Sequence, residues 1–340
     1  MPRPVSLKEV ADAAGVAKST ASYALKDSPL IKESTRAKVR AVAEKLGYHI
    51  DPTLSRALAK SRSGKRSNPG STVVAYLTNC PSTFNEELFA AVQERATEVG
   101  LKAEQHFFDC KDTLSAKRTF QILAAKGIRA IVIGPLETPV DTLPVEWDRF
   151  ACVVIGASLR NPHLHSVQKD LILETRESIG YLQAQGCKRI GFLIHAEFDS
   201  RKGNPVLSEV LRYRFQLLED NNAQADKVRD AVFWYHGSNV ADYAEWHKRF
   251  KPDSLVIDNP IDWLKGQHKG FDRLPKVFLY KHPKATDITG FTPEFTLLGR
   301  TAVDIVSNEL AKRAYGIPKV PQRSLFTTEI SVATEVGAPR

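Results

Sequence analysis

Residues 6–25, SLKEVADAAGVAKSTASYAL, constrain this chain more than any other stretch, because they dictate two short helices packed at close range. Ser6 followed three residues later by Glu9 forms a capping box, which starts a helix at Leu7. Leu7, Val10, Ala11 and Ala14 recur at i, i+3, i+4 and i+7 and give that helix one narrow apolar face. Gly15 permits the backbone turn that ends it. A second helix runs from about Ala17, with Thr20, Ala21, Ala24 and Leu25 inward. Residues this small let two helices cross closely, and Lys18, Ser19, Ser22 and Tyr23 are left on the outward face. A helix-turn-helix needs these properties: tight packing behind, and hydrogen-bonding side chains at the start of the second helix.

The charge is placed to match. Residues 1–66 hold 14 Lys or Arg against 6 Asp or Glu, so the remaining 274 residues carry only about +1 of the total +9. A basic head on a neutral body fits DNA binding by the head better than a generally basic enzyme. At 340 residues the chain has length for two or three domains. Cys80, Cys110, Cys152 and Cys187 lie far apart, without C-x-x-C pairs or a His at metal spacing, and read as reduced, buried cysteines. No signal peptide opens the sequence, and no apolar run approaches the ~20 residues that span a bilayer. These features predict a soluble, cytoplasmic protein without membrane partners.

A third helix opens at Ser34-Thr35-Arg36, with Val39, Val42, Ala43 and Leu46 as its inner face and Gly47 closing it. Taken together, Leu7, Val10-Ala11, Ala14-Gly15-Val16, Thr20, Ser22, Thr35-Arg36, Val39 and Leu46-Gly47-Tyr48 resemble the lactose/galactose repressor family (LacI/GalR). The resemblance implies a DNA-binding transcriptional regulator. Its specificity positions fall on Lys18, Ser19 and Tyr23 as base readers, with Ser6, Ser22 and Thr35 on phosphates. One departure is Ala17, which stands where the family usually caps the second helix with Ser or Thr; losing such a cap costs about 1 kcal/mol. Tyr23 is another, since Arg or Asn is common at that position.

By the same resemblance, Asp51–Lys60 is a hinge helix that folds on DNA and wedges a leucine into the minor groove. Leu58, in Ala-Leu-Ala, matches the wedge, with Arg56 beside it. The spacing from Tyr48 is one residue longer than the usual pattern, which makes Leu54 the competing register. Ser61–Gly70 is a polar, basic Gly/Pro linker. From Ser71 onward strand-like runs alternate with 12–16-residue helical ones, which predicts βαβ units and parallel sheets with helices on both faces. The fold class is therefore α/β: a helix-turn-helix bundle plus a two-lobed, periplasmic-binding-protein-like body, as the resemblance also implies. The phrases at Gly186–Phe192 and Leu298–Val303 match the family too. The predicted boundaries are 1–50 for the head, 51–70 for hinge and linker, and 71–340 for the body. Within the body, the lobes divide as 71–168 with 291–320, and 169–290 with 321–340.

Ligands of such bodies sit between lobes, at the carboxyl ends of strands. Asn79, Asp109 and Asn259 follow strands, and Phe84 matches an aromatic that relatives place against a sugar. Asn259 matches the Asn of the family's Asn-Asp pair, but Pro260 replaces the Asp. Arg212 or Arg214 would supply the effector-clamping arginine, and the sequence does not choose between them. Half of the usual polar clamp is missing, so the effector is open: a sugar, another small molecule, or none. There is no catalytic, metal or cofactor motif: no G-x-S-x-G, H-E-x-x-H, Walker loop or G-x-G-x-x-G. A dimeric regulator with operator DNA and an effector as partners is expected over a two-lobed binding protein or enzyme with an incidental head. An exposed apolar face on the helix Phe84–Val99 is expected to serve the homodimer.

Overall fold

The computed structural model describes residues 7–25, 31–46, 73–219, 230–237, 240–259 and 261–334, and in the head the side chains of Leu7, Lys8, Lys18, Ser19 and Ser22 fall outside the description. Ser6, the hinge with Leu54, Arg56 and Leu58, the linker and Pro260 also lie outside the described residues. Residues 1–67 and 68–340 form separate compact units.

In the head, α1 (Leu7–Ala14), α2 (Lys18–Ala24) and α3 (Glu33–Lys45) pack pairwise. Their core is Val10, Ala11, Ala14, Ala21, Ala24, Val39 and Ala43, all buried. At Gly15, φ is +66°, and the amides of Gly15 and Val16 donate to Asp12 and Ala11 carbonyls at 3.2 and 3.0 Å. This Schellman arrangement uses the one residue type that enters the left-handed region without strain. Leu46 was expected inside but stays 38% exposed, because the alanine-rich core ends one turn earlier at Ala43.

The body contains two all-parallel sheets. The first has the order β10-β5-β4-β3-β1-β2, from β1 (Val73–Thr78), β2 (Lys102–Phe107), β3 (Ala130–Ile133), β4 (Ala151–Ile155), β5 (His165–Lys169) and β10 (Arg323–Phe326). The second has the order β7-β6-β8-β9, from β6 (Ile190–His195), β7 (Val232–Tyr235), β8 (Ser254–Ile257) and β9 (Lys276–Phe278). Strands such as β1 are buried on both faces, which is why they read as unbroken apolar runs. Odd positions of β1 face α5 (Thr113–Ala125); even positions face α4 (Thr83–Glu98) and α11 (Phe295–Lys312). The second sheet is covered by α6 (Leu171–Ala184) and α8 (Pro205–Glu219) on one side. On the other lie α9 (Val240–Phe250) and the short α10 (Lys269–Arg273). One further short helix, α7 (Ala196–Arg201), follows β6.

Three further expectations need correction. Residues 323–326 do not join the second lobe: β10 pairs in parallel with β5, Arg323 opposite Ser166, and so completes the edge of the first sheet. The chain returns to the second lobe just beyond, where the Thr328 backbone hydrogen-bonds Glu174, Ile330 packs on the second core and Ser331 bridges Gly290. Gly290 makes this bridge with its backbone so close to Phe278 that an added Cβ would meet the Phe278 carbonyl oxygen at 2.2 Å. His165 begins β5, and Ser166 and Val167 are buried there although the run HSVQK carries little apolar signal. The apolar face of α4 is not left over for a second copy: Leu88, Ala91, Val92 and Ala96 are buried within the chain, where α4 packs on α11. The cysteines are all free, but only Cys152 is buried; the other three are half-buried.

Candidate nucleic-acid interface and inter-lobe cleft

On the head, α2 carries the expected reading positions, of which Tyr23 has a described side chain. It starts at Lys18 with Ala17 as its N-cap, extended at φ −65° and ψ 149° and making no side-chain capping bond. Tyr23, one turn beyond Ser19, is 52% exposed, unusual for a ring of that size and available to a groove. Thr35, half-buried, lies in the first turn of α3, a helix whose charges, Glu33 first and Lys45 last, complement its dipole.

In the body, the carboxyl ends of both sheets open onto a cavity of about 580 Å³, adjoined by a second of about 340 Å³. Phe84, Pro135, Arg201, Lys202, Tyr280 and Pro293 line both. The Phe84 ring meets Phe295 edge-on at 4.8 Å and Tyr280 at 6.2 Å, so an aromatic wall joins the two lobes. Cations gather beside it. The Arg201 guanidinium lies 4.0 Å over Phe198. The Lys169 and Lys202 ammonium groups lie 4.2 and 4.6 Å from the Tyr280 ring centre. Arg201 reaches across the cleft: its Nη1 donates to the carbonyls of Leu136 and Glu137, on the first lobe, at 3.1 Å each. Lys169, at the end of β5, donates to the Leu279 carbonyl of the second lobe and lies 2.9 Å from the Glu174 carboxylate.

Behind this wall sits Asp258, directly after β8 and 1% exposed. Its oxygens accept from the His195 amide and the Tyr235 hydroxyl at 3.1 Å. Burial pushes its carboxyl up and the Lys202 ammonium down, each opposed by the charge of the other.

Of the residues expected at the effector site, Phe84 and Asn259 line the cavities. Asn79 is instead used to tie loops, donating to the Cys110 sulfur at 2.8 Å and accepting from the Glu137 amide at 3.0 Å. Asp109 accepts from the amides of Lys111 and Asp112 in its own turn. Arg212 pairs with Glu209 and donates to Gln216, and neither it nor Arg214 lines either cavity. The reason is geometric: only the start of α8, at Pro205 and Ser208, reaches the larger cavity, and both arginines lie further along the helix. The arginine that does face the cleft, Arg201, closes α7, a helix of six residues too short to leave a periodic signal. The adjacent pair Arg201-Lys202, soon after the end of β6, was the signal that could have found it.

Comparison with known proteins agrees with this geometry. Residues 6–51 match the family described as bacterial regulatory proteins, lacI family. The HTH-type transcriptional regulator MalR of Streptococcus pneumoniae is 26% identical over 230 residues, 64% of this chain and 66% of MalR. The HTH-type transcriptional repressor CytR of Escherichia coli is 25% identical over 195 residues, 56% of this chain and 54% of CytR. The matched stretch thus spans less than two thirds of either relative. Among solved structures, the transcriptional regulator CelR–cellobiose complex superposes with a TM-score of 0.57 at 18% identity, covering 97% of this chain and 99% of that one. The lac repressor dimer bound to operator and the anti-inducer ONPF gives 0.53 at 17% identity with the same coverage. These likenesses establish the fold. The head thus matches the lacI family of bacterial regulatory proteins, and the chain as a whole is similar to LacI/GalR regulators in sequence and in fold.

Proposed function

We propose that the chain is a sequence-specific DNA-binding transcriptional repressor that binds a pseudo-palindromic operator as a homodimer and responds to a small molecule between its lobes. The observation that carries this reading is the pairing, in one chain, of a lacI-type head with a two-lobed body whose cleft opens at the sheets' carboxyl ends. The excess charge of residues 1–66 supplies the phosphate-directed part of the affinity. Lys18, Ser19 and Tyr23 read bases; Ser6, Ser22 and Thr35 hold phosphates; Leu58 and Arg56 enter the minor groove. One head reads too few base pairs for useful specificity, so two copies are required. The apolar surface available to a second copy is Leu211, Phe215 and Leu218 at i, i+4 and i+7 on α8, which are 42–67% exposed. The lac repressor structure is a dimer on its operator, and CelR holds cellobiose; both support assigning these partner classes here. A role in regulation rather than catalysis accords with the relatives, which are named as regulators. No helix among the described residues is long and apolar enough to cross a membrane.

The deciding experiment selects binding sites from random-sequence DNA with the intact chain and compares it with residues 68–340. Salt-sensitive, site-specific binding by the intact chain alone is expected, modulated by a metabolite that occupies the cleft. Equal binding by the two, or none by either, removes the proposal.

A further inference from the structure

The cleft's cations are not equivalent. Lys169 has the Glu174 carboxyl in contact at 2.9 Å. Lys281, in the smaller cavity, is saturated by the carbonyls of Ala285 and Ile288 and the hydroxyl of Ser331. Arg201 and Lys202 differ from both: among the described residues, neither has a carboxylate within 4.0 Å. Arg201 uses only Nη1, on two carbonyls, and its Nε and Nη2 meet no protein acceptor. The Lys202 ammonium has aromatic faces for neighbours, Tyr280 at 4.6 Å and Phe198 at 5.4 Å, and likewise no acceptor. The buried acid that most raises Lys202, Asp258, has its oxygens engaged by His195 and Tyr235.

We propose that the cleft is built for a small molecule carrying an oxyanion, a phosphate ester or a carboxylate, which Arg201 and Lys202 bind from one side while Phe84 and Tyr280 hold the uncharged remainder. This deepens the reading of the cleft as an effector site and rests on it. Two half-buried cations with no carboxylate in contact are costly, and an entering anion recovers that cost through charge-assisted hydrogen bonds. The guanidinium fork offers two parallel donors, a geometry that matches a carboxylate or phosphate edge. A neutral sugar would leave both cations without an anion in contact. The volume, about 580 Å³, lies within the ~300–1,000 Å³ of small-molecule sites. Burial lowers the proton affinity of both Arg201 and Lys202, in accord with their position away from water.

The test uses the full chain without DNA, at fixed ionic strength, with inorganic phosphate, acetate, citrate, glucose and sodium chloride as probes. Saturable binding by calorimetry, with a raised unfolding temperature, is expected for at least one oxyanion probe and not for chloride or glucose. Phosphate against acetate and citrate separates the two oxyanion sources. Arg201→Lys, which keeps the charge and loses the fork, and Lys202→Gln should each weaken that binding at least tenfold. An anion held by the basic head instead would bind both variants as well as the parent. Binding that survives both substitutions, absence of oxyanion binding in the parent, or glucose binding that outcompetes phosphate would overturn the proposal. The unliganded melting curve of each variant reports folding, and two different positions guard against one misfolding. Because no DNA is present, loss of operator binding would sink the regulatory reading and leave this result standing.

Discussion

At Tyr23 the family's usual hydrogen-bonding residue is replaced by a ring that is half in solvent. A phenol offers one donor–acceptor oxygen and an apolar edge, which suits a thymine methyl or a single base acceptor rather than a bidentate guanine. Tyr23→Ala, Lys18→Ala and Ser19→Ala should therefore change which operators are selected, each by about 1–3 kcal/mol at the affected base pair. Ser22→Ala and Thr35→Ala should weaken all sequences alike, since phosphate contacts carry no sequence information. Binding-site selection repeated for each variant decides; uniform weakening after changing Tyr23 would show that it reads no base. A second expectation concerns Ala17, the uncapped start of α2, whose extended backbone already has cap geometry. Ala17→Ser should add about 1 kcal/mol to the helix, or roughly fivefold greater hydrogen-exchange protection in α2. No gain would mean that Ser cannot reach the free amides.

At the scale of elements, long helices and buried strands were legible because their periods repeat several times. The strands β1, β3, β4, β6 and β8 are apolar runs covered on both faces, the pattern expected of parallel sheets. The elements missed were short or polar. HSVQK becomes β5 only because β4 and β10 flank it, a fact of tertiary pairing that no local pattern carries. The same limit hid α7 and with it Arg201, so the cleft's charge was illegible while its aromatic, Phe84, was not. Packing between α4 and α11 is also invisible locally. It depends on Gly299, where an added Cβ would lie 2.6 Å from the Ala91 Cβ and 3.0 Å from the Val92 nitrogen. Gly299→Ala should cost about 1–3 kcal/mol, read from urea unfolding, because backbone on one side cannot yield. A change under half a kcal/mol would mean that the two helices can separate freely. The hinge is the remaining element. Unstacking a base step costs a few kcal/mol, which the contacts of bent DNA must offset. Leu58→Ala should weaken specific binding and leave salt-sensitive non-specific binding nearly unchanged. If Leu54→Ala does so instead, the register is displaced; if neither does, the segment is only a tether.

For the whole molecule, the place where the chain crosses between lobes makes stability depend on pH. Glu174, on α6 of the second lobe, is fully buried beside Lys169 of the first-lobe sheet. Burial pushes its carboxyl up to about 7, against the pull of Lys169. The folded state therefore keeps a proton that the unfolded chain releases near 4.5. Its contribution to stability is complete below 4.5 and is lost as pH rises through 7. Asp258 and Asp199, both raised by burial, act in the same direction. His106, His195 and His247 oppose it: burial lowers each, so they favour the folded state more as pH rises toward 6.5. The net slope is a contest among these groups, and the unfolding midpoint of the parent alone would not isolate one of them. The difference between the parent and Glu174→Gln does, because every shared group cancels. Between pH 5.5 and 7.5 the variant's stability relative to the parent should improve by about 2 kcal/mol, the share of the Glu174 titration that falls in that window. Lys169 is the exception to that cancellation, because burial lowers its proton affinity and Glu174 raises it, so the same comparison is made in a Lys169→Met background, where the Glu174 titration stands alone. Urea unfolding at the two pH values measures the difference directly. A flat difference would mean that Glu174 is already ionised in the folded state, and the 2.9 Å contact with Lys169 would then be a salt bridge throughout.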